Sequence, residues 1–231
     1  MMHAAESPNQ PCHEPHASSH MLQVESPLNR RRVEAFIQRC FRQDYAAQID
    51  VYAKHLIALI DTEQQIQAAV GYQSAASGAL FMEQYLDQPI EQRLSQTLGR
   101  AVRREQVLEV GNLASRSSGG TRQIILELAL FYYRQGFEWL VITVTPQVLN
   151  SFHKLGVGLE LIPLCAADPN RLLQDPARWG SYYREQPLVM AGHIGRGIAR
   201  LRKNRALLRQ LLASPKPLRD HQIQLAPEGD L

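Results

Sequence analysis

The middle of the chain narrows the fold most. Residues 106–114 read as a strand, and residues 115–120 are small, polar and glycine-rich. Residues 121–135 carry Ile124, Ile125, Leu128, Phe131 and Tyr132 on one helical side, and Gly136 stops that helix. Residues 139–145 form a second β-rich run. Strand, loop, helix and strand in this order make a crossover, which joins parallel strands. Upstream, two apolar segments, 55–60 and 66–72, flank the polar turn Asp61-Thr62-Glu63-Gln64-Gln65, which predicts a β-hairpin. A short strand is expected at 21–25. An amphipathic helix over 30–49 carries Val33, Phe36, Ile37, Cys40, Phe41 and Tyr45. Helical pieces follow at 78–87 and 89–98, then a helix from Pro146 to about 155 and a strand at 159–166. Hairpin plus crossover gives an α/β chain with a mixed sheet.

Composition removes several classes. A length of 231 residues suits one large domain with extensions, and 45% hydrophobic with 20% charged residues excludes wholesale disorder. The longest apolar runs, such as 139–144, are too short to cross a bilayer. A net charge of +3 is too mild to argue for nucleic acid. Cys12, Cys40 and Cys165 form no C-x-x-C pair, which excludes a disulfide framework or a zinc ribbon and fits a reducing compartment. Residues 1–20 lack the cationic start and apolar core of a secretory signal, so a cytoplasmic chain is expected. They are expected to be a disordered tail. Its His3, Cys12, His13, His16 and His20 are metal-ligand types, but their spacing matches no closed site, so no metal is assigned.

The main domain is placed at 21–195. After it, Ile194, Ile198, Leu201, Leu208 and Leu212 recur at helical spacing among Arg196, Arg200, Arg202, Lys203, Arg205 and Arg209. A basic amphipathic helix is expected over 196–214, then a loose tail over 215–231. That helix suits an acidic protein surface, an anionic membrane surface in peripheral contact, or plain solvation.

Between the central strand and helix, Arg116-Ser117-Ser118-Gly119-Gly120-Thr121 offers backbone N–H groups at a helix N-terminus, a cradle suited to phosphate. It matches neither the Walker P-loop nor the dinucleotide fingerprint, and a plain connection explains it equally well. The flanks make the pattern more specific. Arg116-x-x-Gly119-x-Thr121 is similar to the R/Q-x-x-G-x-G/A acyl-donor loop of the GNAT superfamily, apart from the last residue. Ser151-Phe152-His153-Lys154-Leu155-Gly156-Val157 resembles that superfamily's helix end. Phe81-Met82-Glu83-Gln84-Tyr85-Leu86-Asp87, Leu108-Glu109-Val110-Gly111-Asn112-Leu113-Ala114 and Trp179-Gly180-Ser181-Tyr182-Tyr183 resemble the thermostable hemolysin family, over about 30–195.

The resemblance implies a GNAT-like fold: a mixed, mostly antiparallel central sheet with flanking helices, and pantetheine in a V-shaped gap between two strands. It implies kinship with acyl-homoserine-lactone and N-acyl amino acid synthases. The implied activity is N-acyl transfer from acyl carrier protein or coenzyme A to a small amine. Acyl-coenzyme A or acyl-phosphopantetheine would be a cosubstrate rather than a tightly bound cofactor. The backbone near Asn112, Leu113 and Ala114 would polarise the thioester carbonyl, and Arg116, Ser117, Ser118, Gly119, Gly120 and Thr121 would hold the donor.

Glu109 alternates with Leu108 and Val110 and so faces the opposite side of its strand. An acid in an apolar strand is a candidate base; the structural alternative is an ion pair with Arg103 or Arg104. Phe152 occupies the superfamily's usual tyrosine position and cannot donate a proton. Tyr182 and Tyr183 are the substitute candidates, with pocket lining as their other reading. Ser115, Ser117 and Ser118 sit in no nucleophile elbow, which argues against a serine hydrolase. Two further functions stay open: a membrane-active cytolysin and a non-catalytic acyl-binding protein.

Overall fold

In the second strand, Leu56, Ala58 and Ile60 join one apolar cluster while Ile57 and Leu59 join another. All five are fully buried, so the strand shows no polar alternation: helices cover both faces of its sheet. The computed structural model describes residues 19–207, 209, 218–220, 223, 225 and 226. Its strands are β1 (His20–Val24), β2 (His55–Ile60), β3 (Ile66–Ser74), β4 (Val107–Ser115), β5 (Trp139–Val144), β6 (Leu161–Ala166), β7 (Leu188–His193) and β8 (Leu218–Arg219). They form one mixed sheet in the order β6-β7-β5-β4-β3-β2-β1-β8. The β4–β5 pair is parallel, as the crossover predicts, β8 lies parallel to β1, and the other pairs are antiparallel.

The helices are α1 (Pro27–Tyr45), α2 (Ile90–Leu98), α3 (Ser118–Arg134), α4 (Pro146–Lys154) and α5 (Ile194–Leu201). The apolar stripe of α1, including Val33, Phe36, Ile37 and Phe41, packs on one face with Leu56 and Ala58. Ile124 and Leu128 of α3, Phe152 of α4 and Ile198 of α5 fill the other. A third cluster sets α2 residues Ile90 and Leu94 under Trp139 and Val141 of β5.

Several boundaries differ from the expectation. Helix α1 ends at Tyr45 rather than 49, because Ala46 turns left-handed (φ 54°) and Gln48 bonds Arg178 O instead. Helix α3 begins at Ser118, so Ser118, Gly119 and Gly120 are its first turn, capped by Ser117. Strand β7 had no expected counterpart. It runs directly into α5, and its Val189 and Ala191 are fully buried between β5 and β6.

The C-terminal expectations also need correction. Among the described residues the expected helix over 196–214 is interrupted, and residues 208 and 210–214 lie outside the described residues. Helix α5 spans Ile194–Leu201, residues 202–204 turn, and Asn204 Oδ1 accepts N–H groups of Ala206 and Leu207 to start a new helical turn. The core crosses the proposed limit at 195, since Ile198 and Leu201 are buried. The segment after 215 is not wholly loose. Leu218–Arg219 pairs with β1, Leu225 is 1% exposed, and Asp220 accepts hydrogen bonds from Glu25 N and Ser26 N at the start of α1. Helix starts leave N–H groups unsatisfied, and Asp220 supplies the acceptor. At the other end, His20 belongs to β1. The rest of the expected N-terminal tail, with His3, Cys12, His13 and His16, lies outside the described residues.

Candidate active site

Strands β4 and β5 stay paired only from Val107↔Trp139 to Val110↔Ile142. Beyond Val110, β4 bulges: Asn112 and Leu113 have no opposite number in β3, whose register shifts between Ala69 and Gly71. Asn112 takes a left-handed conformation (φ 50°), which asparagine tolerates better than most residues. Its side chain fixes the bulge, accepting from Ala53 N at 2.9 Å and donating to Val51 O at 3.0 Å. The strands therefore separate, and a cleft of 720 Å³ opens between them. Residues 111–114 lose β5 as a ladder partner, so this stretch of β4 backbone borders the cleft.

One end of the cleft is polar. Ser117 caps α3, its Oγ accepting from Gly120 N at 3.1 Å, while Thr121 N closes the first helical bond on Ser117 O. Among the described residues, the N–H groups of Ser118 and Gly119 have no protein acceptor. Gly120 is glycine for packing: a Cβ there would sit 3.2 Å from Gln67 O. Arg116 lines the rim but is held back, with Nε on Ile66 O at 2.8 Å and its guanidinium over the Phe36 ring.

The other end is aromatic and acidic. Glu109 faces away from Leu108 and Val110, which sit in the core of the opposite face. Its carboxylate accepts from Phe81 N and Met82 N, both at 2.8 Å. Burial pushes its pKa up to about 7, against the pull of those two N–H groups. The ion-pair alternative does not occur: Arg104 binds Glu83 and Glu91, and Arg103 binds Glu105. Glu83 adds repulsion to Glu109, although Arg104 keeps Glu83 itself ionised.

The cleft that Glu109 borders is also lined by Phe41, Tyr45, Phe81, Tyr85, Trp179 and Tyr182. Gly180 makes this assembly possible. It is left-handed (φ 54°), and a Cβ there would lie 2.1 Å from Tyr45 O. The chain thus clips onto the end of α1, with Ser181 N on Tyr45 O at 2.8 Å, and carries Trp179 and Tyr182 to Phe41. Tyr85 and Tyr183 share a hydrogen bond of 2.6 Å between their hydroxyls. Burial holds the phenols of Tyr85 and Tyr182 well above their usual range and Tyr183 at about 12, so at neutral pH they are protonated.

The cleft brings together Glu109, Asn112, Leu113, Ala114, Arg116, Ser117, Ser118, Thr121 and Tyr182. Gly119 and Gly120 stand behind it in the first turn of α3, and Tyr183 stands behind Tyr85. Phe152 turns into the core, 5% exposed, beside a 60 Å³ apolar cavity. Its neighbour Ser151 borders the cleft instead, with Gln147 and Val148. That missed residue had a signal, because positions 147, 148 and 151 share a helix face. Tyr45 and Thr145, which also line the cleft, were missed as well. Cys40 lines the cleft too, but burial raises its thiol to about 11, which keeps it protonated.

A family model described as thermostable hemolysin matches residues 23–198. The chain belongs to that family. No curated protein matches it by sequence. This thermostable hemolysin family member is similar in fold to several solved structures. FeeM, an N-acyl amino acid synthase from uncultured soil microbes, superposes with a TM-score of 0.55 at 12% identity, covering 80% of this chain and 95% of that one. TofI gives 0.55 at 14% identity, with 82% and 99% covered. BjaI, a CoA-dependent acyl-homoserine lactone synthase solved with SAM and isopentyl-CoA, gives 0.52 at 13% identity, with 88% and 94% covered. The GNAT-like fold expected from the motifs is thus present.

Proposed function

We propose that this chain transfers an acyl group from a pantetheine thioester to the amine of a small acceptor. The observation that carries the reading is Glu109: a half-buried carboxylate whose desolvation pushes its pKa up to about 7, bordering the cleft that opens where β4 leaves β5. A base of that pKa is half ionised at neutral pH and accepts a proton effectively. The donor's phosphate lies at the start of α3, on the N–H groups of Ser118 and Gly119. The thioester carbonyl lies along β4 at Asn112, Leu113 and Ala114, where a backbone N–H stabilises the developing oxyanion. Glu109 takes a proton from the acceptor's ammonium group. The amine then forms the C–N bond and the C–S bond breaks, and the second proton of the amine nitrogen passes, directly or through water or a cleft hydroxyl, to the departing thiolate, leaving the amide and a free thiol. Tyr182 shapes the acceptor end, and Tyr183 orients Tyr85.

The donor is acyl carrier protein or coenzyme A, which places the chain in the cytoplasm. Exposed Arg202, Lys203 and Arg205 beyond α5 supply positive charge for an acidic carrier. Among the described residues, no helix is long and apolar enough to cross a membrane. Phe152 favours a second reading, a non-catalytic acyl binder, since no hydroxyl occupies that position. Incubation of the purified protein with acyl-coenzyme A or acylated carrier protein and a mixture of amines decides between them. Release of free thiol with an acylated amine in the mass spectrum supports transfer. Retention of intact acyl donor without turnover supports the binder, and absence of both results removes the acyl site altogether.

A further inference from the structure

The acceptor end of the cleft is built from particular materials. Trp179 stands 5.6 Å from Phe81 and 5.4 Å from Tyr182, and Tyr182 meets Tyr45 edge to face at 5.2 Å. These four, with Phe41 and Tyr85, border the same open space. Ring faces carry negative potential and attract organic cations, and the rings offer apolar area to a ligand's body. The acids beside them are Glu109 and Asp44, also on the cleft wall. Glu83, the third acid there, is occupied by Arg104 at 2.6 Å.

The cleft's positive charge lies elsewhere. Among the described residues lining it, Arg116 is the basic side chain, and it sits at the phosphate end, bonded to Ile66 O over Phe36. A carboxylate placed among the rings would meet Glu109 and Asp44 and desolvate against aromatic surface, which is costly for an unpaired charge. An ammonium group would meet opposite charge and ring faces.

Resting on the acyl-transfer reading, we infer that the acceptor is a primary amine on an aryl or similarly broad apolar body, carrying no carboxylate. The body packs on Phe41, Trp179 and Tyr182, and the ammonium group points to Glu109. Amino acids are then disfavoured acceptors, and small alkylamines lack the body that the rings hold.

Trp179 is a reporter for the site, because the other tryptophan, Trp139, is 1% exposed in the core. Fluorescence titration of the full chain, with and without saturating coenzyme A, uses 2-phenylethylamine, phenylalanine and ethylamine as probes. The expected result is 2-phenylethylamine binding at least about tenfold tighter than either other probe, with Glu109→Gln reducing that preference. Trp179→Phe should abolish the signal while calorimetry still detects the amine. Phenylalanine binding as tightly as 2-phenylethylamine overturns the inference, and so does absence of 2-phenylethylamine binding by calorimetry. Coenzyme A binding is read in the same protein. If it persists while the amine preference fails, the acyl-transfer reading stands and only the acceptor class falls; if neither coenzyme A nor acylated carrier protein binds, both fall.

Discussion

The two ends of the cleft are made differently. The end at Ser117 is contiguous in sequence and built from backbone N–H groups, hydroxyls and one rim arginine. The end at Glu109 gathers α1, the turn at Phe81–Tyr85, β4 and the 179–182 segment along with one half-buried carboxylate. Local structure suffices to make an anion cradle, because a helix start exposes its own donors. Raising a carboxyl to about 7 requires burial, which only tertiary assembly provides. On the proposed reading, holding the donor and accepting the proton are separable tasks, one beyond the end of β4 and the other near its start.

Variants at each end should separate those functions, beginning with the largest effect. Glu109→Gln keeps the shape but cannot accept the proton, so the transfer rate should fall by about a hundredfold or more while donor affinity is unchanged. An equal loss in donor affinity would erase the distinction between the two ends. Asn112→Ala removes both ties to the 51–53 segment and places alanine in a left-handed conformation. Thermal or denaturant unfolding should show a loss of about 2 kcal/mol, and both ends should weaken together. A Cβ at Gly119 would meet only Ser117 Oγ, at an ordinary 3.6 Å, so the fold is expected to persist in Gly119→Val, as circular dichroism would check. Donor affinity, measured by calorimetry with coenzyme A, should drop about tenfold if Ser118 and Gly119 hold phosphate. The smallest effect is expected outside the cleft. Replacing Arg202, Lys203 and Arg205 by glutamine should raise the apparent KM for acylated carrier protein a few-fold at low salt, leaving acyl-coenzyme A little changed. Equal shifts for both donors would remove this surface as the carrier dock.

The same contrast explains what was legible in the sequence. The hairpin and the β4-α3-β5 crossover declare themselves through local periodicity and turn residues. Ser117 as a cap and Glu109 as the inward acid follow from chain position and alternation. Strand β7 was hidden, because Leu188–His193 passes without a turn into α5 and its burial depends on β5 and β6 beside it. The anchoring of Asp220 at the start of α1 joins residues nearly two hundred positions apart, beyond any local pattern. The aromatic wall of the cleft was half legible: the motif at Trp179 and Tyr182 stood out, but not its contact with Phe41 and Tyr45, which needs Gly180 against Tyr45 O. Ser151 was obscured by attention to Phe152, whose ring belongs to the core.

The pKa of Glu109 also bears on stability, and the sign is opposite to that of a salt-bridged acid. Its folded value lies near 7, above the ordinary 4.5, so folding favours the protonated form. That contribution is complete below about 4.5 and is lost as pH rises through about 7. Between pH 5 and 8 the wild type should therefore lose up to about 3 kcal/mol that Glu109→Gln does not lose. Matching pH–stability curves for the two proteins would mean that the carboxyl is solvated.

The most direct test of the central claim, that Glu109 accepts the acceptor's proton, is the pH dependence of acyl transfer in wild type and Glu109→Gln at saturating donor and amine. The wild-type rate should climb with pH through an apparent pKa near 7 as the carboxylate forms, and the residual rate of the variant should lack that step. Superimposable pH profiles in the two proteins would contradict the account and leave Glu109 as a structural acceptor for Phe81 N and Met82 N.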